Sequence, residues 1–119
     1  MKTCIFCEII NKKVPAKIVF EDKEFLAFLP LEQVVMGHTL VIPKTHFENI
    51  FDINKDIFER LAGMAKTLAE NIVKENTASG INVLHASGKD AQQSVEHFHL
   101  HIIPRYQNDG LDLWFKNNL

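Results

Sequence analysis

The sequence predicts an α+β fold with a five-stranded, mostly antiparallel sheet, one long helix and a short N-terminal helix. Three observations lead to this class. Short apolar segments alternate with polar turns, one long segment has helical periodicity, and three histidines alternate with apolar residues near the C-terminus. With 119 residues, the chain has the length of one domain, which we expect to span residues 1–119.

Helical periodicity appears in two segments. Residues 4–12 carry isoleucines and a phenylalanine at helical spacing until Pro15 interrupts the pattern, which predicts a short first helix. Residues 54–76 repeat apolar residues at positions i, i+3, i+4 and i+7, whereas the opposite face is charged and amide-rich. We expect this long helix to cover one face of the sheet, and we assign it no chemistry.

Five further segments have the composition of β-strands. A polar turn at residues 21–23 joins the first two as a hairpin, Pro43 ends the third, and a polar loop at residues 86–94 precedes the last. The predicted strands are residues 17–20, 24–29, 39–42, 81–85 and 95–104. The tail at residues 105–119 contains apolar side chains, so we expect it to pack on the body or on a partner subunit.

Composition and charge argue against two classes of partner. Hydrophobic residues make up 46% of the chain, charged residues 24%, and the formal net charge is -2, so nothing favours nucleic acid or an anionic membrane. No apolar run approaches the roughly 20 residues of a membrane span, and the first residues lack the apolar core of a signal peptide. We therefore expect a cytoplasmic protein.

The most informative motif is the histidine row His97, His99 and His101. In a strand these side chains share one face, while the intervening Phe98 and Leu100 bury the other. Such a row suggests metal ligation, or proton and nucleophile chemistry near neutral pH. The structural alternative is a strand whose polar face happens to use histidine.

Cys4 and Cys7 form a C-x-x-C motif at the N-terminus. A structural disulfide across so short a loop is not expected in a reducing compartment. Metal ligation, redox chemistry and two unrelated buried thiols remain as alternatives, and the redox interpretation lacks the βαβ context typical of that motif.

The motifs G-H-T-L-V-I-P-K-x-H at residues 37–46, Q-S-V at 93–95 and H-x-H-x-H with two apolar residues at 97–103 resemble the histidine triad family. More narrowly, the chain is similar to the Hint-like bacterial and archaeal branch. The resemblance extends from C-I-F-C-E-I-I at residues 4–10 to I-P-R at 103–105, which is nearly the whole chain.

This resemblance implies a nucleotide hydrolase or transferase of the phosphoramidase type. Such an enzyme binds a purine nucleotide of the AMP or GMP type and cleaves at the α-phosphorus through a nucleotidyl-histidine intermediate. The family resemblance also implies a homodimer whose contact follows the long helix and the fourth strand. The apolar tail residues would then lie near the partner's active site; they are Leu111, Leu113, Trp114 and Phe115.

The resemblance assigns roles to the polar residues. His99 is the nucleophile, and a neutral imidazole suits that role near neutral pH. His101 and the backbone amides of Gln93 and Ser94 would hold the non-bridging oxygens, His38 would assist proton movement, and the Ser94 hydroxyl would lie near the leaving group. The structural alternatives are a strand-end histidine bonded to a carbonyl and a turn that caps its own amides.

The resemblance also implies a metal site and a base-binding slot. Two thiolates and two imidazoles make a closed tetrahedral set for structural zinc, provided by Cys4, Cys7, His46 and His97. The alternative is two buried thiols and unrelated histidines. The purine base would lie in an apolar slot lined by Ile5, Phe6, Ile9, Phe28 and Leu31, for which the alternative is simple core packing.

Four positions depart from the family pattern. Pro30 stands where an acidic residue usually grips the ribose, and His85 stands where asparagine is common. Gln92 replaces a frequent glycine, and Glu96 replaces an aromatic residue. Two other functions stay open: a dinucleoside polyphosphate hydrolase, and a non-catalytic nucleotide-binding or scaffold protein.

Overall fold

A computed structural model of the chain describes residues 3–115. Two α-helices and five β-strands form the fold, and they confirm the predicted α+β class. In chain order the elements are α1 (Ile5–Ile10), β1 (Lys17–Glu21), β2 (Phe25–Leu29), β3 (Thr39–Pro43), α2 (Lys55–Asn76), β4 (Gly80–Leu84) and β5 (Leu100–Arg105). A short 3-10 turn, Lys89–Ala91, interrupts the loop between β4 and β5.

The strands form one sheet in the order β1-β2-β3-β5-β4, and every neighbouring pair is antiparallel. His101 lies on the interior strand β5, opposite Leu40 of β3 on one side and Leu84 of β4 on the other. Strands β1 and β4 form the two edges. Among residues 3–115, no helix has the length and apolar character needed to cross a membrane.

Alternating residues of the strands build two separate apolar layers. One layer lies between the sheet and α2 and includes residues of both: Phe25, Ala27, Val41, Leu61, Ala65, Leu68, Ala69, Ile72, Phe98, Leu100 and Ile102. The other lies under α1 and consists of Phe6, Ile9, Leu26, Phe28, Leu40 and Ile42. Since successive side chains of a strand point to opposite faces, the histidines that alternate with Phe98 and Leu100 face α1.

Helix α2 begins and ends at residues whose backbone and side chains suit helix termini. The side chain of Asn54 accepts hydrogen bonds from the backbone N–H groups of Asp56 and Ile57, which satisfies two donors of the first turn. Thr77 ends the helix in the left-handed conformation, with φ of 53°. The helix therefore ends at Asn76, as its sequence pattern predicts.

The last strand is shorter than predicted. Residues 95–104 were expected to form one strand, but β5 begins only at Leu100, so His97 and His99 lie in the segment before it. The ladder with β3 reaches Val41 and Leu100 and stops close to Pro43, which has no backbone N–H to donate. Instead, the N–H of Phe98 donates to the carbonyl of Phe47 at 2.7 Å. The alternation of faces continues through this segment nonetheless.

The C-terminal tail is fastened to the sheet by Arg105. Its guanidinium donates to the carboxylate of Asp109 and to the carbonyl of Leu111. Leu111 and Leu113 are half-buried, but Trp114 and Phe115 remain 60% and 71% exposed and stack on each other. The aromatic pair does not bury itself on the body of this chain, and residues 116–119 of the predicted tail lie outside the described part.

Candidate active site and metal-ligand cluster

His99 is held in one tautomer by its own backbone. Its Nδ1 lies 2.8 Å from the carbonyl oxygen of His97, and because a carbonyl only accepts, Nδ1 carries the proton and donates. The lone pair is therefore on Nε2. His99 is only 3% exposed, and this burial lowers its pKa below the ordinary value, which favours the neutral imidazole. The rings of Phe6 and His99 pack in a T-shaped arrangement, with centroids 5.3 Å apart.

His38 and His101 form a hydrogen-bonded pair beside His99. The backbone N–H of Val34 donates to Nδ1 of His38 at 3.2 Å, so neutral His38 carries its proton on Nε2. That Nε2–H donates to Nδ1 of His101 at 3.0 Å, which leaves the His101 proton on its own Nε2. Burial, together with the neighbouring His99 and His38, lowers the pKa of His101 to about 4.

The three rings thus present complementary groups. The rings of His99 and His101 lie with centroids 5.0 Å apart, one with an unprotonated Nε2 and the other with an Nε2–H. The first can attack an electrophile, while the second can donate a hydrogen bond to an oxygen of that electrophile. The arrangement suits transfer of a negatively charged, oxygen-rich group such as a phosphoryl or nucleotidyl group.

An apolar pocket of about 670 Å³ lies between α1 and the adjoining end of β2, a size typical of small-ligand sites. All five residues predicted to form the base slot line it: Ile5, Phe6, Ile9, Phe28 and Leu31. Leu31 is fully exposed, so this side chain is not part of the core. Phe6 both lines the pocket and contacts His99, and it therefore connects the pocket to the histidine row.

The polar side chains of this pocket are few. Its lining contains Lys17 and Gln33 but no carboxylate, and Pro30 occupies the wall where the family resemblance expects an acidic residue. The side-chain oxygen of Gln33 already accepts a hydrogen bond from the N–H of Gly37 at 3.2 Å.

The loop before the histidine row is organised by the side chain of Gln93. Its amide nitrogen donates to the carbonyls of Glu48 and Val95, and its oxygen accepts from the N–H of Gly88. The backbone N–H of Gln93 is also engaged, with the carbonyl of Gly88 at 3.1 Å. Gln93 thus holds the loop together through its own hydrogen bonds, as the structural alternative for this turn expects.

Ser94 lies in a different cleft from the apolar pocket. This cleft of about 520 Å³ is also lined by Cys4, His46, Gln93 and Glu96. Within residues 3–115, no hydrogen bond or ring contact joins Ser94 to His38, His99 or His101, and its backbone N–H donates to no described residue. Ser94 can therefore fulfil its predicted roles only if a ligand reaches its backbone N–H and hydroxyl from the side of this cleft.

Four possible metal-ligand atoms lie close together at the N-terminal end of the histidine row, one each from Cys4, Cys7, His46 and His97. The Sγ of Cys4 and the Nδ1 of His46 lie 3.3 Å and 3.1 Å from Nδ1 of His97, and the Sγ of Cys7 lies 3.4 Å from Nδ1 of His46. All four atoms lie within 4.8 Å of one another. Tetrahedral zinc, with bonds of about 2.0 to 2.3 Å, holds its ligand atoms about 3.3 to 3.8 Å apart, and the three contacts of 3.1 to 3.4 Å lie close to that spacing.

The protonation states agree with metal ligation. The Nε2–H of His97 donates to the carbonyl of Pro43 at 2.8 Å, which leaves the Nδ1 lone pair directed at the cluster. Burial and the nearby Cys4 raise the pKa of Cys7 to about 11, so a thiolate at this place needs a cation beside it. The four residues could hold a metal ion.

The sequence did not identify the backbone groups that orient these rings. The carbonyls of Pro43 and His97 and the N–H of Val34 decide which nitrogen of each imidazole is protonated. Every residue has such groups, so residue types alone carry no signal for them. The nearest available signal was Pro43, which marks the end of β3.

The chain is similar to proteins of one family over most of its length. The family model described as the HIT domain matches residues 11–108, which begins after Cys4 and Cys7. The protein named "Protein hit" from Bacillus subtilis is 42% identical over 118 residues, covering 98% of this chain and 81% of that protein. The adenosine 5'-monophosphoramidase of Saccharomyces cerevisiae is 39% identical over 109 residues, covering 91% of this chain and 66% of that enzyme.

Solved structures agree with the sequence relatives. A crystal structure of a HIT family member from Bacillus subtilis has a TM-score of 0.90 and 43% identity, covering 97% of this chain and 82% of that chain. A Zn-bound histidine triad family protein from Mycobacterium smegmatis has a TM-score of 0.89 and 34% identity, covering 98% of this chain and 84% of that chain.

The hydrogen-bond network predicts opposite tautomers for two neighbouring histidines. Long-range imidazole 1H–15N NMR spectra near neutral pH should show the Nδ1–H form of His99 and the Nε2–H form of His101. Spectra of His99→Gln and His101→Gln assign the signals by their loss. A dominant Nε2–H form of His99 would contradict the prediction, because its lone pair would then point at a carbonyl.

Proposed function

Because the chain belongs to the HIT family, we propose that it cleaves purine nucleoside phosphoramidates or adenylylated compounds at the α-phosphorus through a nucleotidyl-histidine intermediate. The observation that carries this proposal is the pairing of an unprotonated Nε2 on His99 with an Nε2–H on His101. The related yeast protein is named an adenosine 5'-monophosphoramidase, which supports a substrate of this class.

In the first step, Nε2 of His99 attacks the α-phosphorus and forms a phosphorus–nitrogen bond. The bond from phosphorus to the leaving group breaks, and the leaving group departs with the electron pair and takes up a proton. The imidazole ring becomes positively charged, and its Nδ1–H remains bonded to the carbonyl of His97, which stabilises that charge. In the second step, water attacks the phosphorus and loses a proton to solvent, the phosphorus–nitrogen bond breaks with its electron pair returning to Nε2, and the nucleoside monophosphate leaves neutral His99.

The neighbouring groups stabilise the charge that develops on phosphorus. The Nε2–H of His101 donates to a non-bridging oxygen, and the bond between His38 and His101 offers a route for protons between the two rings. From the neighbouring cleft, the backbone N–H and hydroxyl of Ser94 donate hydrogen bonds to an oxygen of the phosphate or of the leaving group. Gln93 contributes chiefly by ordering the loop that carries Ser94.

The purine base is assigned to the apolar pocket beside α1. The pocket volume of about 670 Å³ accommodates a nucleoside, and its apolar walls suit a purine ring. Phe6 brings this pocket next to His99, so a nucleotide in the pocket reaches the histidine row with its phosphate. A dinucleoside polyphosphate would meet the same groups, and no contact of the described residues favours that substrate over a phosphoramidate.

We assign structural zinc to Cys4, Cys7, His46 and His97. The donor types, the separations of the four atoms and the Zn-bound relative support this assignment. The ion would fasten the start of α1 to the segment before β5. With four protein ligands, it would keep no position for a reacting water. We also propose a cytoplasmic location, in which the two free thiols of this site would stay reduced.

We assign a homodimer contact to the apolar groove between α2 and β4. The groove is lined by Ala62, Ala65, Ala69, Val73, Ile81 and Val83 among others, and Val83 is 50% exposed. Strand β4 is also an edge of the sheet, whose free backbone groups a second copy can pair. The exposed Trp114 and Phe115 then remain available to cover apolar surface near the partner's site.

The covalent intermediate supplies the main test. Brief incubation of the protein with adenosine phosphoramidate should produce an adenylyl adduct on His99, detected by mass spectrometry of the intact protein and its peptides. His99→Ala should abolish turnover, at least about a thousandfold, while AMP binding stays within a few fold, because the side chain supplies the covalent step. Ser94→Ala is the matched control and should be slower but still form the adduct.

A protein that binds AMP but never forms the adduct would instead be the non-catalytic nucleotide-binding alternative. Turnover by His99→Ala would refute the assigned nucleophile.

Metal analysis tests the zinc assignment. Protein purified without an affinity tag should contain one zinc per subunit, and replacement of Cys4 and Cys7 by serine should remove it and lower the thermal midpoint. Glu48→Gln, in the same cleft but outside the four donors, should retain zinc. Zinc well below one per subunit after loading, or an unchanged midpoint in the double variant, would contradict the assignment.

Sedimentation velocity at low micromolar concentration tests the dimer. The wild-type chain should sediment as a dimer, and Val83→Glu should shift it to monomer because the charge enters the apolar groove. Val19→Glu is the matched control, since Val19 is 43% exposed on the opposite edge strand β1. A monomeric wild type, or dissociation by both substitutions, would overturn the assigned contact.

A further inference from the structure

The side chain of His85 makes a hydrogen bond to the backbone just beyond the point where the ladder between β4 and β5 ends. The ladder between β4 and β5 ends at the pair Leu84 and His101. The next residue of the β4 side, His85, places its Nδ1 2.9 Å from the carbonyl oxygen of His99. Since the carbonyl only accepts, Nδ1 donates. A side chain thus binds the main chain of the proposed nucleophile where the regular ladder has stopped.

The ring of His85 is itself fixed by further contacts. With Nδ1 donating, Nε2 accepts a hydrogen bond from the hydroxyl of Ser87. The Ser87 oxygen accepts in turn from the backbone N–H of Ile50 at 2.8 Å. The ring also stacks on the fully buried Phe98, with centroids 4.3 Å apart and an angle of 23° between planes. Two contacts, with the Ser87 hydroxyl and with the Phe98 ring, therefore hold the donor that reaches His99.

We propose that His85 is a positioning residue for His99. The nucleophile is held at two points, because His97 fixes its ring through Nδ1 and His85 fixes the carbonyl at the C-terminal side of the same residue. His85 makes its contact with the backbone and not with the apolar pocket, so it acts through His99. Misplacing a reacting group by about 1 Å can cost about a hundredfold in rate, which is enough to make this contact matter. The inference rests on the proposed function of His99.

Three substitutions separate the contacts of His85. His85→Phe keeps an aromatic ring that can stack on Phe98 but removes both ring nitrogens. His85→Asn restores an N–H donor on a shorter side chain without the stack. Ser87→Ala leaves His85 in place and removes the hydroxyl that donates to its Nε2 and accepts from the N–H of Ile50. Turnover of adenosine phosphoramidate and affinity for AMP are measured for each variant and for wild type.

His85→Phe should lower kcat about ten- to a hundredfold, with KM and AMP affinity changed by less than about threefold. His85→Asn should recover most of this loss, and Ser87→Ala should lower kcat by a few fold. A fall in thermal midpoint with unchanged kcat in all three variants would overturn the proposal, since His85 would then act only in folding. A rise in KM at constant kcat would also overturn it, because His85 would then be a substrate contact.

A second measurement distinguishes failure of this inference from failure of the proposed function. Imidazole NMR spectra of the nucleotide-free protein should show the His99 signals shifted or broadened in His85→Phe and near their wild-type positions in His85→Asn. If wild type forms no adduct on His99, the proposed function fails, while these spectra still test the positioning role. Unchanged His99 signals in His85→Phe would overturn the positioning role whether or not the protein turns over substrate.

Discussion

The buried hydrogen bond from Nε2 of His97 to the carbonyl of Pro43 is the contact on which the rest of the site depends. It fixes the ring so that Nδ1 faces the thiols, and the carbonyl of the same residue orients the ring of His99. The ring of His97 also contacts Phe6, which lines the apolar pocket. One buried residue therefore connects the metal-ligand cluster, the proposed nucleophile and the ligand pocket. Leaving a buried donor without its acceptor costs about 1 to 3 kcal/mol, so this orientation is strongly preferred.

Burial has two consequences for the histidine row. It lowers the pKa of His99 and His101, so that both rings are neutral near neutral pH, and it requires that the nitrogens directed into the protein find hydrogen-bond partners there. Backbone groups do this for His97, His99 and His38. The same bonds that make burial tolerable also decide which nitrogen is available for chemistry. Folding stability and the chemical asymmetry of the row thus have a common origin.

Much of the fold could be predicted from the sequence because it depends on periodicity. The apolar pattern of α2 and the alternation of histidines with Phe98 and Leu100 depend only on residue types along the chain. The predicted start of β5 was wrong because the ladder between β3 and β5 stops near Pro43, which is distant in sequence and has no backbone N–H. The grouping of the four cluster residues into one metal site was predicted from the family resemblance. Tautomers and the contact of His85 depend on backbone groups whose positions follow only from tertiary structure.

In the segment before β5, histidines alternate with apolar residues. This alternation makes the number of residues in the segment more critical than their identity. Residues 97–101 lie partly outside the strand, yet they still place histidines toward α1 and Phe98 toward α2. A shift by one residue would exchange these faces, bringing imidazoles into the apolar layer and Phe98 into the site. An insertion in the polar loop at residues 86–94 would leave the faces of the row unchanged, whereas a single insertion between Phe98 and β5 would invert them. The histidine segment therefore tolerates a change of side chain more readily than a change of length.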